Sequence, residues 1–185
     1  MADPRSLVNR MVRAAKLDPA LYDEVKSDSA ATGQAVAIVL IGGMASGLGS
    51  GIAALLYLKD ADISDFLVYA FGGLGLSIVG WLAWSVLSYL LGTTIFRTGE
   101  TSGATLGGLL RTIGFASSPR VLAFFAFVPV LSVFIVIGVL IWILVAAVIA
   151  VRQAMNFSTE RAIVTCILGW AIYLALGLVI RFIVD

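Results

Sequence analysis

The sequence contains no histidine, and this single absence excludes much chemistry. Histidine is the commonest general base and the commonest metal ligand. Without it no Ser-His-Asp triad can form, and no Cys/His cluster can hold zinc. There is one cysteine, Cys166, in an apolar run. It has no partner for a disulfide within the chain and so leaves the redox compartment open. Charge is scarce: 12% of residues are charged, against about a quarter in an ordinary soluble domain. The net charge of +1 gives no general attraction to nucleic acid. The long apolar runs hold no Asp, Glu or Lys, the groups that ion-coupled carriers use as relays. A Walker-type phosphate loop and a Gly-x-Ser-x-Gly elbow are both missing. Gly47, Gly49 and Gly51 alternate as in a dinucleotide loop, but they lie in an uncharged run with no strand before it. No metal, cofactor or nucleic acid is therefore expected, and the chain reads as non-enzymatic.

Apolar residues make up 61% of the chain, where soluble domains have about half. Their distribution predicts an all-α, polytopic transmembrane helical bundle. Residues 33–58 form a first span, uncharged over about 26 residues. Residues 66–92 form a second, 132–151 another and 162–184 the last. Between them, 103–116 is helical and amphipathic. Leu106, Leu109, Leu110, Ile113 and Ser117 trace one face, and Thr105, Gly108, Arg111 and Thr112 the other. That pattern fits a segment at the membrane interface or one entering obliquely, with Thr101 or Ser102 as its N-cap. Ser158 or Thr159 can cap the last span.

Pro119 and Pro129 break this region, because proline cannot donate the helical hydrogen bond. As one span, 120–152 would be too long: about 31 residues make roughly 47 Å, against a hydrocarbon core of about 30 Å. As two arms meeting at Pro129, it is a hairpin over 113–151 whose first arm recruits residues before Pro119. The hairpin gives about five membrane segments. With the N-terminus in the cytoplasm it leaves only Lys59 and Arg181 outside, which suits the positive-inside rule better than a single kinked span does.

Residues 1–32 are expected to form cytoplasmic amphipathic and polar helices, and 33–185 the transmembrane domain. Asp3-Pro4 and Asp18-Pro19 each pair an N-cap with proline at the first helical position. In the first helix Leu7, Val8, Met11 and Ala15 share a face away from Arg5, Arg10, Arg13 and Lys16. This predicts either a basic helix on the membrane surface or a solvated helix packed on the bundle. The second, 20–26, carries Asp23, Glu24 and Asp28 around Tyr22, as a solvated connector or a place where a partner contacts Tyr22.

Gly43, Gly47 and Gly51 recur every fourth residue and make a bare stripe, a glycine zipper along which a second helix can approach closely. That helix can belong to this chain or to another copy. Arg111 and Arg120 fall where the chain should enter the membrane. Each either contacts lipid headgroups or a partner's carboxylate, or snorkels and fixes the depth of a broken helix.

The string Leu109-Leu110-Arg111-Thr112-Ile113-Gly114-Phe115-Ala116-Ser117-Ser118-Pro119, followed by an apolar run, Pro129 and a span bearing Ile141-Trp142, resembles prokaryotic members of the Yip family. Residues 22–28 and 31–35 add to it, and the likeness covers about residues 20–180. These are small multi-spanning proteins related to the eukaryotic Ypt/Rab-interacting membrane proteins. The resemblance implies five membrane segments, a cytoplasmic N-terminus, a bacterial cytoplasmic membrane and a role in organising membranes. It does not bring a GTPase partner. The Asp-Leu-Tyr-Gly-Pro motif of the eukaryotic cytoplasmic region is missing, with only Ala20-Leu21-Tyr22-Asp23 in its place.

Two functions are thus expected. One is a scaffold, adaptor or accessory subunit acting through helix packing with itself or a larger membrane complex. The alternative is a small channel or transporter for a lipid or neutral solute, in which proline- and glycine-broken helices line a cavity. Membrane lipids and other membrane proteins are the expected partners.

Overall fold

The computed structural model describes residues 3, 5–96 and 103–184. Among these there is no strand. Seven α-helices follow in order: α1 Leu7–Ala15, α2 Pro19–Ser27, α3 Ala31–Tyr57, α4 Ile63–Thr94, α5 Leu106–Ala116, α6 Leu131–Met155 and α7 Thr159–Val184. A 3-10 helix, Ser118–Phe127, lies between α5 and α6. Among the described residues α3, α4 and α6 are each long and apolar enough to cross a membrane. Much of the outer face of α4 and α6 is apolar and exposed, Val68, Phe71 and Leu76 on one, Phe134 and Ile141 on the other. This is an integral membrane protein.

Local chemistry sets the helix ends. Asp18 caps α2 by accepting from the Ala20 N–H, with Pro19 at the first helical position. Asp62 and Asp65 form a capping box at the start of α4. Elsewhere the ends move from where the sequence predicts them. Ser6, not Asp3, caps α1. Thr105 caps α5, and Thr101 and Ser102 lie outside the described residues.

α1 packs Leu7 and Met11 of its expected apolar face against the core but turns Arg10 inward as well. Val8 is 69% exposed, while Arg10 is 2% exposed. Arg10 donates to Glu24 (2.6 Å), Asp28 (2.8 Å) and Gln34 (2.9 Å). Arg13 donates to Asp18 and Glu24, both at 2.8 Å. The acidic cluster is thus the other half of this network rather than a solvated connector. The Arg13 bond holds the Asp18 carboxyl below its usual range. Burial alone would raise the Glu24 carboxyl, but bonds from Arg10 and Arg13 together lower it. The Arg10 bond lowers Asp28. Nor are α1 and α2 set apart from the bundle: Leu21, Tyr22 and Val25 share one core with Leu109, Ile113, Val151 and Met155.

α3 is the central post, packed on α4, α5 and the 3-10 helix. Its 27 residues span about 40 Å. At one end of it, Arg111 donates to the Val25 and Lys26 carbonyls, and Lys26 donates to the Gln153 carbonyl (2.9 Å). Two cations thus cap the C-termini of α2 and α6, where carbonyls lack intrahelical partners. At the other end, the Tyr57 hydroxyl donates to the Phe127 carbonyl (3.1 Å). α5 with the 3-10 helix therefore runs the length of α3. Its 11 α-helical and 10 3-10 residues reach roughly 36 Å. The i to i−3 bonds Arg120 N–H to Ser117 (2.9 Å) and Val128 N–H to Phe125 (3.1 Å) mark its tighter winding. Pro129 and Val130 then make the bend into α6. Val130 has φ 65°, a strained value for a β-branched residue.

α5 is buried on both of the faces that the sequence distinguishes. Thr112 and Gly108, from its polar side, are buried with Leu109 and Ile113. The polar side is a packing face because Thr112 returns its hydroxyl to the Leu109 carbonyl (3.1 Å) and Gly108 lies against the Lys26 carbonyl.

Candidate functional site

α4 packs on α3, α5 and α7, whereas α6 packs on α5, α7 and the 3-10 helix. Between α4 and α6 this arrangement leaves a cavity of about 630 Å³. On α4 its lining runs from Val68 to Trp84, about 24 Å of helix, so the cavity is elongated along the bundle. Leu140, Ile141 and Leu144 of α6 face that wall, Val39, Ser46 and Ser50 of α3 lie behind, and Trp170 joins from α7. Val68 and Leu76 on one rim and Ile141 on the other are more than half exposed. The opening is therefore lateral, through the apolar outer surface.

Most of the lining is apolar. Two of the polar exceptions, Arg120, just after Pro119, and Ser77, are bonded to each other, while Ser46, Ser50 and Tyr69 lie toward the Val68 end. The Arg120 guanidinium donates to the Ser77 hydroxyl at 2.8 Å, and Ser77 donates on to the Val39 carbonyl at 3.3 Å. The stem of Arg120 crosses α3 at Gly42, where a Cβ would lie 3.0 Å from the Arg120 Cβ. Gly42 is about 16 Å from the start of α3 and about 22 Å from its end. Ser77 is about 21 Å and 26 Å from the ends of α4. Arg120 thus stands near the middle of both helices, too deep for its side chain to reach either end.

Trp81 and Trp84 wall one end, each anchored through its indole N–H, to the Leu110 carbonyl (2.9 Å) and the Cys166 carbonyl (3.3 Å). Those bonds point away from the cavity's contents and fix the rings as rigid apolar walls. Among the described residues no group of three or more His, Cys, Asp or Glu stands together to hold a metal.

The other sequence-selected residues lie elsewhere. Gly43, Gly47 and Gly51 face α4 of the same chain: a Cβ on Gly47 would strike the Ala70 carbonyl, and one on Gly43 would lie 2.8 Å from the Ser77 Cβ. Tyr22 is wholly buried, its hydroxyl donating to the Ala14 carbonyl (3.3 Å), and burial raises its pKa. Arg111 is engaged with α2. Pro119 opens the 3-10 helix and Pro129 follows it. Only Arg120 reaches the cavity.

The sequence reading passed over Gly42 and took Gly49 only as part of a dinucleotide-like alternation. Gly42 and Gly49 are seven apart and so share a face of α3 distinct from the Gly43 stripe. That spacing was the available signal. Against this second bare face the 3-10 helix packs, with the Phe124 carbonyl 2.5 Å from where a Gly49 Cβ would be.

The sequence model of the Yip1 domain matches residues 18–180. The chain belongs to the Yip1 domain family. No curated protein and no solved structure matches it. The Yip1 domain holds every residue lining the cavity, from Val39 to Trp170. It also holds Asp18, Glu24 and Asp28, whereas α1, with Arg10 and Arg13, precedes it. α1 thus precedes the matched domain and docks on it through these ion pairs and through Leu7, Met11 and Ala14.

Proposed function

We propose that this Yip1 domain protein is a non-enzymatic membrane protein that takes a lipidic ligand sideways out of the bilayer. The observation that carries this reading is the elongated cavity between α4 and α6, open through the lipid-facing surface. Its volume falls in the range of ligand pockets, about 300–1,000 Å³. Its lining is mostly apolar, as for a ligand that is largely hydrocarbon.

The accompanying topology is five membrane segments: α3, α4, α5 with the 3-10 helix, α6 and α7. The bonds at opposite ends of α3, from Arg111 and Lys26 and from Tyr57, support it. Arg5, Arg10, Arg13, Lys16, Lys26, Arg111, Arg152 and Arg161 then share one side, which the positive-inside rule assigns to the cytoplasm. Of the remaining cations, Lys59 and Arg181 lie on the other side and Arg97 falls outside the described residues. By the family resemblance the membrane is a bacterial cytoplasmic one.

Native mass spectrometry of the chain in mild detergent tests the reading. Wild type should retain a lipid-sized mass. Gly72→Phe should lose it, since Gly72 lines the cavity and a side chain there meets nothing within 4 Å. Equal retention by a folded Gly72→Phe protein would defeat the proposal. The scaffold or adaptor role loses the surface from which it was inferred, because α4 of the same chain covers the Gly43 stripe. Family membership still supports it, and a defined larger assembly in the same spectra would favour it.

A further inference from the structure

We propose that α1 has two working sides: its arginine side docks on the bundle, and its Val8–Val12 flank lies against the acyl chains of one leaflet. This placement does not depend on what the cavity holds. At about 100° per residue, the side chains of α1 divide into three sectors. Arg10, Ala14 and Leu7 point inward: Arg10 and Ala14 are buried and Leu7 packs on the core. To one side of them stand Arg13 and Asn9, with Arg13 bonded to Asp18 and Glu24. To the other side stand Ala15, Val8 and Val12. Val8 and Val12 are exposed, and Val8 is about 140° round the helix from Arg13. The apolar flank thus turns away from α2 and its carboxylates.

What surrounds that flank depends on where α1 is fastened. At its N-terminal end, the Gln34 amide donates to the Arg5 carbonyl (3.0 Å) and accepts from Arg10 (2.9 Å). Gln34 is only about 5 Å into α3. At its C-terminal end, the Trp142 indole donates to the Ala15 carbonyl (2.8 Å). Trp142 stands about 20 Å before the C-terminal end of α6, near the middle of a helix long and apolar enough to cross a membrane. No side chain spans that distance, so α1 ends beside α6 and not beyond it. Trp142 is exposed, as are Ile141 and Val145 close to it on α6. The Val8–Val12 flank therefore continues the lipid-facing surface of α6, and α1 slopes into the leaflet from the level where α3 begins. Lys16 stands where this flank meets the polar side, and its stem lets the ammonium reach the headgroups. An apolar flank in lipid beside a polar, cationic edge is the arrangement of a helix lying at the boundary between headgroups and acyl chains.

The test places single cysteines at Val8, Val12 and Asn9 of the full-length chain and labels them with the fluorophore NBD. The protein is held in phosphatidylcholine nanodiscs, which leave both faces open to water. Native Cys166 is wholly buried, and wild type taken through the same labelling gives the background. Labels on Val8→Cys and Val12→Cys should lose about half or more of their emission to lipids carrying a nitroxide high on the acyl chain, and little to aqueous iodide. The label on Asn9→Cys should show the reverse. Iodide quenching at all three positions overturns the proposal and puts α1 in water. Labels at Val8 and Val12 that neither quencher reaches also overturn it, since a second copy or another protein then covers the flank. Equal lipid quenching at all three overturns the division of α1 into a lipid side and a polar side.

Discussion

At the level of single residues, the decisive quantity is how near two backbones lie. Gly47 and Ala70 are so close that a Cβ on Gly47 meets a main-chain carbonyl, which cannot rotate away as a side chain can. Gly47→Leu should therefore force α3 and α4 apart and cost about 3 kcal/mol or more. The change should appear as a lowered midpoint of thermal unfolding of the monomer in detergent. Gly72→Ala, with open space around it, should stay within about 0.5 kcal/mol of wild type. If Gly47→Leu left stability unchanged and altered only the oligomeric state, the stripe would belong to an interface between copies instead. The sequence showed the stripe but not its partner, because small-residue spacing describes one surface only. α4 supplies the match with Gly73, which lies directly over Gly47.

At the level of elements, α1 is held by ion pairs as well as by Ala14, Leu7 and Met11 on the core. Asp18, Glu24 and Asp28 all titrate lower than free carboxyls. A depressed carboxyl contributes stability that is full above its unfolded pKa, about 4, and is lost as the pH falls through the folded value. Docking of α1 should thus be constant from about pH 7 to 5 and weaken below about pH 4. Hydrogen exchange of residues 7–15, corrected for the intrinsic rate, is the readout. Arg10→Gln should reduce both the protection at neutral pH and its dependence on acid, leaving the Arg13 pairs to account for the remainder. A pH-independent exchange rate in wild type would show that apolar packing, not the ion pairs, holds the helix.

At the level of the whole molecule, the five-segment proposal fixes which surfaces share a side. Lys16→Cys and Asn156→Cys should react with an impermeant thiol reagent from one face of sealed vesicles. Lys59→Cys and Val130→Cys should react from the other. Native Cys166 is wholly buried and should stay silent. Labelling of positions 130 and 156 from the same face would return 120–152 to something other than a crossing and a turn.

The sequence by itself determined the class of molecule, the uncharged spans, the proline breaks and the family, since each depends on composition, length or a contiguous string. It also placed Arg120 at a break in the chain. Only the tertiary structure decided that Arg120 lies halfway along α3 and α4, because depth depends on how far α5 descends before Pro119. It likewise decided that Tyr22 is internal, that Arg111 caps a neighbouring helix, and that α1 turns its arginines inward. In each case the partner lies on another element, in contacts up to more than a hundred residues apart along the chain, as for Lys26 and Gln153. A one-dimensional pattern records which face of a helix is apolar. It does not record which face has a countercharge waiting, and in α1 Arg10 is drawn inward beside the apolar residues. The cavity is the furthest from the sequence of all, since it exists only because α4 and α6 each pack on other helices and leave the space between them open.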